Sequence, residues 1–258
     1  MALTAVRGAL GFLTRIPVGR SEAAWESFSR SPWTFPFVGY LVGALVALPL
    51  MMPAFAPVPG PTVAFAFIVA VYGVTGITHL DGVADLGDAA VVHGDVDERR
   101  RVMHDSALGV GGTVALAVVV LGLATAALGL VEVGIARSQF LTAAGIAVAA
   151  EVGAKAATAT LVCVGDAAHE GLGSALTGES SPRSALPALA LAAPAALLGW
   201  PLVAPGIAAL GAALATAALL GRWASHRLGG VSGDVLGATN ELARVVALHA
   251  GVIAWTLS

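Results

Sequence analysis

Apolar and polar positions alternate in long blocks along this chain. Uninterrupted or nearly uninterrupted apolar runs cover about 37–55, 62–78, 107–131, 140–164, 185–203, 206–220 and 236–255. Most approach the roughly 20 apolar residues that a helix needs to cross the hydrocarbon of a bilayer. Polar, glycine-punctuated stretches separate them at 79–106, 165–184 and 221–235, and short Pro-rich turns separate others, as at Pro57–Pro61. The pattern predicts an all-α, polytopic membrane bundle of about seven spans, with six or eight as neighbouring solutions. The first 30 residues are interrupted by Arg7 and Arg15, lack a long signal-peptide core, and read as an interfacial amphipathic segment. Residues 1–258 are expected to form one membrane-embedded domain.

Charge fixes an expected orientation. With the N-terminus in the cytoplasm, seven spans put the three polar loops on the same side as Arg7, Arg15, Arg20 and Arg30. That side then holds ten of the 13 basic residues, as the positive-inside rule requires. A cell-membrane protein with its chemistry on the cytoplasmic face follows from this reading. Composition agrees: 57% of residues are hydrophobic and only 11% charged, against about 25% charged in soluble domains. Membrane lipids are expected neighbours. The net charge of −3 and the single short basic run Arg99–Arg101 offer no nucleic-acid surface. The lone Cys163 excludes an internal disulfide or a multi-cysteine zinc site.

In a chain so short of charge, "HLDGVADLGDA" (79–89) stands out. Asp81, Asp85 and Asp88 are spaced i, i+4, i+7, which puts them within about 60° of one another on a helix. Mutually repelling carboxylates suggest a divalent cation, and an oxygen-only set suggests Mg²⁺ or Mn²⁺ completed by water and phosphate oxygens. A merely acidic, solvated helix end is the alternative. In "RRRVMHDSALGVGG" (99–112), Arg101–Asp105 and Arg100–His104 have i,i+4 spacing. Asp105 is either a helix cap or a ligand or base. His79 and His104 read as ligands, acid–base groups or interfacial polar residues. In "GGVSGDVLGATNEL" (229–242), Gly230, Ser232, Gly233 and Asp234 form a loop whose N–H groups suit a phosphate, although Asp234 also suits a cap. Glu241 and Arg244, like Glu151 and Lys155, are spaced to pair inside apolar runs. Each pair is either structural or faces a polar cavity.

These three motifs, in this order, resemble the cobalamin synthase (adenosylcobinamide-GDP ribazoletransferase) family. "FLTRIPVG" (12–19) and "FPFVGYLVGAL" (35–45) extend the resemblance across nearly the whole chain. There are departures: His104 replaces a common Lys, Ala89 a common Gly, and Lys155 an expected Arg. The resemblance implies a membrane enzyme that uses Mg²⁺ to transfer the phosphocobinamide moiety of adenosylcobinamide-GDP to α-ribazole or its 5′-phosphate, with release of GMP. Attack by the ribazole 5′-hydroxyl is the expected step. Asp81, Asp85, Asp88 and Asp105 are the implied metal ligands, with Asp105 or Asp88 also accepting the proton. His79, Arg101, His104, Lys155, Gly230, Ser232, Gly233, Asp234 and Glu241 are the implied substrate contacts. A homo-oligomer or a complex with pathway enzymes stays open. Two other functions compete. A CDP-alcohol phosphotransferase would have Arg where Asp85 follows "DGVA". A cation- or proton-coupled transporter would place its ionisable groups at the midplane, not in loops on one side.

Overall fold

The computed structural model describes residues 1–19 and 21–258. Arg20, counted above among the cytoplasmic cations, lies outside the described residues. The described residues fold into helices α1 (Ala2–Leu13), α2 (Glu22–Ser29), α3 (Thr34–Val46), α4 (Gly60–Thr75), α5 (Thr78–Val91), α6 (Val96–Met103), α7 (Val110–Arg137), α8 (Phe140–Val164), α9 (Leu172–Thr177), α10 (Ala185–Ala192), α11 (Ala204–Leu228) and α12 (Gly233–Thr256). Short 3₁₀ segments extend α3 and α10.

All seven apolar runs are helical, but they are not equivalent. By length and composition, four helical segments can cross a membrane: Thr34–Ala54, Val110–Arg137, Phe140–Val164 and Ala204–Leu228. The pair α4–α5 makes a fifth only if counted together, and it is bent by 100°. The remaining runs differ for physical reasons. Proline-containing α10 passes into a 3₁₀ turn after eight residues, and α12 carries Asp234, Glu241 and Arg244 along its length.

The bend is local chemistry. Gly76 adopts φ +77°, a conformation open to glycine, and its N–H closes the last turn of α4 on the Tyr72 carbonyl. The chain then restarts as α5, turned by 100° from α4.

α8 is the axis. Nearly all its faces are buried, and α3, α11 and α12 pack around it. Its Ala- and Gly-rich sequence permits this, because lipid supplies no hydrophobic drive between helices and close backbone packing must supply the attraction. A β-carbon on Gly39 of α3 would sit 2.9 Å from Val152 Cα, so the two backbones touch there. At one end α1 and α2 form a hairpin. Ser21 caps α2 by accepting from Ala24 N at 3.2 Å. Phe12, Trp25, Phe28 and Phe35 stack in sequence with ring centroids 5.2–5.4 Å apart along Phe12–Phe28–Phe35 and Phe12–Trp25, tying the hairpin to α3.

Candidate active site

Helix α5 carries Asp81, Asp85 and Asp88 together, as their spacing predicts. It meets the start of α12 at Gly82, where a β-carbon would lie 2.8 Å from Asp234 Cα. Glycine here lets the two backbones touch, and it brings Asp234 beside the cluster. Ser232 caps α12 by accepting from Val235 N at 3.3 Å, and Asp234 occupies the first turn. The cap is therefore the serine, whose hydroxyl also donates to Asp234 Oδ2 at 3.3 Å and holds that carboxylate beside the cluster.

The carboxylates act on one another. Burial raises the Asp85 pKa to about 7, helped by the charges of Asp234, Asp81 and Asp88 in that order. Asp88 has a different environment. Its Oδ2 accepts from Gly109 N and its Oδ1 from Gly112 N, both at 2.8 Å. It caps α7 from a neighbouring helix, opposite the positive end of the α7 dipole.

Among the described residues no three His, Cys, Asp or Glu side chains converge closely enough to enclose a metal ion. The four aspartates nevertheless offer oxygen alone, with one carboxyl driven toward protonation by burial and by its neighbours. That donor chemistry fits a hard cation that keeps water and takes phosphate oxygens, and it does not fit a closed protein cage.

The second motif divides. Arg100 reaches inward: Nε donates to Leu228 O at 2.9 Å and Nη2 to Ala168 O at 2.8 Å. It clamps the 165–171 loop to the 227–231 loop, which are also joined by Val231 N to Asp166 O at 2.7 Å. Arg99 is buried and donates to Ala89 O. Arg101 is exposed and pairs with Glu98, not with Asp105. Arg100 likewise spends its guanidinium on the loops and not on His104. His104 and Asp105 lie exposed, with Asp105 Oδ1 accepting from Ala107 N at 3.0 Å and the His104 ring 5.6 Å from that of His169.

Lys155 and Glu241 are not brought to the open face. Both are essentially fully buried. Lys155 Nζ lies 3.0 Å from Glu151 Oε1 and donates to Asn240 Oδ1 at 2.6 Å. Arg244 Nε donates to Glu151 Oε2 at 2.5 Å and Nη1 to Glu241 Oε2 at 2.6 Å. Two acids and two bases make the group neutral, as burial in a lipid-facing bundle demands. Asn240 joins this group to the site. Its Nδ2 donates to Glu241 Oε1 at 3.0 Å and lies 3.1 Å from His79 Nδ1. The same Nδ1 lies 3.5 Å from Glu241 Oε1; burial, the largest influence on His79, lowers its pKa, and the Glu241 contact opposes that shift. Neither Asn240 nor the Arg100 clamp was visible in the sequence motifs, because both act through partners 68 or more residues away.

A cavity of about 670 Å³ opens beside this cluster. His79, Asp234, Gly233, Gly237, His169 and Leu172 line one side, and the α1–α2 hairpin lines the other.

The chain matches the cobalamin-5-phosphate synthase family model over residues 5–252. It belongs to the cobalamin-5-phosphate synthase family. A relative from Halorubrum lacusprofundi, named adenosylcobinamide-GDP ribazoletransferase, is 76% identical over 99% of both chains. A Haloquadratum walsbyi protein of the same name is 47% identical over the full length of both. An Escherichia coli protein of that name is 34% identical over 93% of this chain and 96% of its own. No solved structure matches. The match to the cobalamin-5-phosphate synthase family runs from α1 to α12, so it takes in all three motifs and the hairpin above the cavity.

Proposed function

We propose that this chain is an adenosylcobinamide-GDP ribazoletransferase, acting in the assembly of the cobalamin nucleotide loop. The full-length family match carries the reading. The carboxylate cluster at one end of a helical bundle gives it a chemical basis.

The family description corrects one expected step. A product that keeps a 5-phosphate comes from an acceptor whose 5′-oxygen is already esterified. That oxygen cannot be the nucleophile. Attack instead comes from a secondary hydroxyl of the ribose ring. Its oxygen bonds to the cobinamide-linked phosphorus, the bond to the bridging oxygen breaks, and GMP leaves with the electron pair. The hydroxyl proton passes to a base. The barrier to such a displacement falls chiefly through positioning and charge neutralisation.

Asp81 and Asp85, with Asp234 alongside and Asp88 at the α7 terminus, would hold Mg²⁺. Bound there, the cation would neutralise charge on the diphosphate and its leaving oxygen. Asp105 remains the assigned fourth ligand or base, on the exposed segment before α7. Gly230 N and Val231 N are engaged by Ala224 O and Asp166 O, so the Gly230–Asp234 turn offers its backbone N–H groups from Ser232 to Asp234, next to the cluster. His79 lines the cavity with Nδ1 already engaged. His169 lines the cavity, and the His104 ring lies 5.6 Å from the ring of His169. Lys155 acts from behind, through Asn240, and Glu241 both through Asn240 and directly, in holding His79 in place. The charge distribution supports placing this end of the bundle in the cytoplasm.

The test is GMP release from adenosylcobinamide-GDP and α-ribazole by purified protein across a Mg²⁺ titration, with wild type beside Asp81→Asn. Metal-dependent release by wild type and its loss in a folded Asp81→Asn are expected. Release of CMP from a CDP-alcohol would identify the lipid enzyme instead. Undiminished release by Asp81→Asn would remove the aspartate from the metal site.

A further inference from the structure

The cavity beside the carboxylates has a composition that the metal–diphosphate chemistry does not use. Its wall on the hairpin side is aromatic: Phe12 and Trp25 are half-buried with ring centroids 5.4 Å apart. Phe28, fully buried behind them at 5.3 and 5.7 Å, fixes both rings. Leu172 faces them across the space. Gly8, Gly11, Gly233 and Gly237 thin the walls elsewhere. Some of these glycines are required by packing. A β-carbon on Gly8 would approach Phe28 Cβ to 2.8 Å, so the hairpin closes only with glycine there. Among the described lining residues on the hairpin side stands the cation Arg7, held by Nε donating to Val18 O at 2.8 Å. Asp234 and His79 mark the end next to the cluster.

A volume of about 670 Å³ is within the range of small-ligand sites. It is far too small for a corrinoid macrocycle, which must remain outside while its diphosphate reaches the carboxylates. Two planar bases then compete for the aromatic wall. Guanine carries donors and acceptors around its edge and is poorly served by Phe12, Trp25 and Leu172. A benzimidazole has an apolar edge and suits them.

We infer that the cavity under the α1–α2 hairpin is the acceptor subsite: the benzimidazole base of ribazole packs against Phe12 and Trp25, its 5′-phosphate lies toward Arg7, and its ribose hydroxyls face Asp234 and the carboxylate cluster. This rests on the transferase reading above. It adds a function for residues 1–30, which the motifs left as an interfacial segment. It also orients the acceptor, because the phosphate and the attacking hydroxyl project from different positions of one ribose. The ring hydroxyl then attacks as described, with the P–O bond to GMP breaking and the proton leaving the ribose oxygen.

Two measurements test it, one without catalysis. α-Ribazole is titrated, without donor, against the tryptophan fluorescence of the wild type, Trp25→Phe and Phe12→Ala. The expected result is a saturable change in wild type that Trp25→Phe largely removes, because the other tryptophans lie away from the cavity. A change that GMP produces and α-ribazole does not would assign the pocket to the leaving nucleotide and overturn the proposal. In steady state, Phe12→Ala and Trp25→Ala are expected to raise KM for α-ribazole about 10-fold or more, the scale of a lost aromatic–base stack. KM for adenosylcobinamide-GDP should stay within about twofold. Arg7→Gln should cut the preference for the 5′-phosphate form over the free nucleoside about 10-fold, a single charge-assisted contact. Equal rises in both KM values would overturn the assignment. If wild type binds α-ribazole at Trp25 yet releases no GMP, the transferase reading fails and the pocket stands. Trp25→Phe keeps an aromatic ring against Phe12 and Phe28, so its folding is not at issue.

Discussion

Lys155→Met isolates the physics of the buried charge group. Lys155, Glu151, Glu241 and Arg244 are each no more than 1% exposed and sum to zero charge. Removing the ammonium leaves two carboxylates facing one guanidinium and strips Asn240 Oδ1 of its 2.6 Å donor. Breaking a buried pair costs about 3–5 kcal/mol. Arg244 still holds Glu151 through two hydrogen bonds, which sets the expectation at the low end, about 3 kcal/mol. For a chain of this length each kcal/mol shifts Tm by about 2–4 °C, so the midpoint should fall by about 6–12 °C. The single cysteine supplies the assay. Cys163 is free and buried, so its reaction with a fluorogenic maleimide reports unfolding in detergent. The sign of the argument is tested by Glu151→Gln/Lys155→Met, which restores neutrality through Arg244 and Glu241. It should be more stable than Lys155→Met alone, a favourable coupling in the double-mutant cycle. A loss below about 1 kcal/mol for the single variant, or an additive double variant, would refute the account of a charge-balanced core.

Asp88→Asn removes a charged cap that satisfies two N–H groups of the α7 terminus. It should cost about 1–2 kcal/mol, read by the same thiol assay. Asp85 has a folded-state pKa raised to about 7, above its unfolded value, so its contribution without metal is fully present below about pH 4 and is lost as pH rises through 7. Stability in chelator should therefore fall between about pH 4 and 7, Mg²⁺ should oppose that trend, and Asp85→Asn should flatten it. A chelated profile that rises over that window would contradict the crowding of these carboxylates. Asp105→Asn should lower kcat by about 100-fold or more if Asp105 is the base, and wild-type turnover in this variant would assign the proton elsewhere. Arg100→Ala should unclamp the 165–171 and 227–231 loops, seen as faster tryptic cleavage after Arg227.

The residues differ in how much of this was legible beforehand. Asp81, Asp85 and Asp88 were readable as one helical face because helical periodicity is a local rule. The Glu151–Lys155 and Glu241–Arg244 pairs were readable as intrahelical partners for the same reason. Their fusion into one group across α8 and α12 was not, since 93 residues separate Arg244 from Glu151. The expected Arg101–Asp105 and Arg100–His104 pairs failed because α6 ends at Met103. Beyond a helix end, i,i+4 residues no longer share a face. Seven apolar runs were visible, but hydropathy does not see a 100° bend at Gly76 or a helix broken at Ala193.

The sequence by itself determined the solvent of this protein, its helical class and the positions of its scarce charges, since these follow from composition and from interactions within a few residues. It also carried the family through three motifs. Tertiary structure alone decided which charges meet. It joined Asp234 to the α5 cluster through the contact at Gly82 and assigned Asp88 to the start of α7. It buried Lys155 behind Asn240 and folded the α1–α2 hairpin over a cavity. Each of these depends on backbones approaching across large sequence separations, which only the packing of the whole bundle specifies.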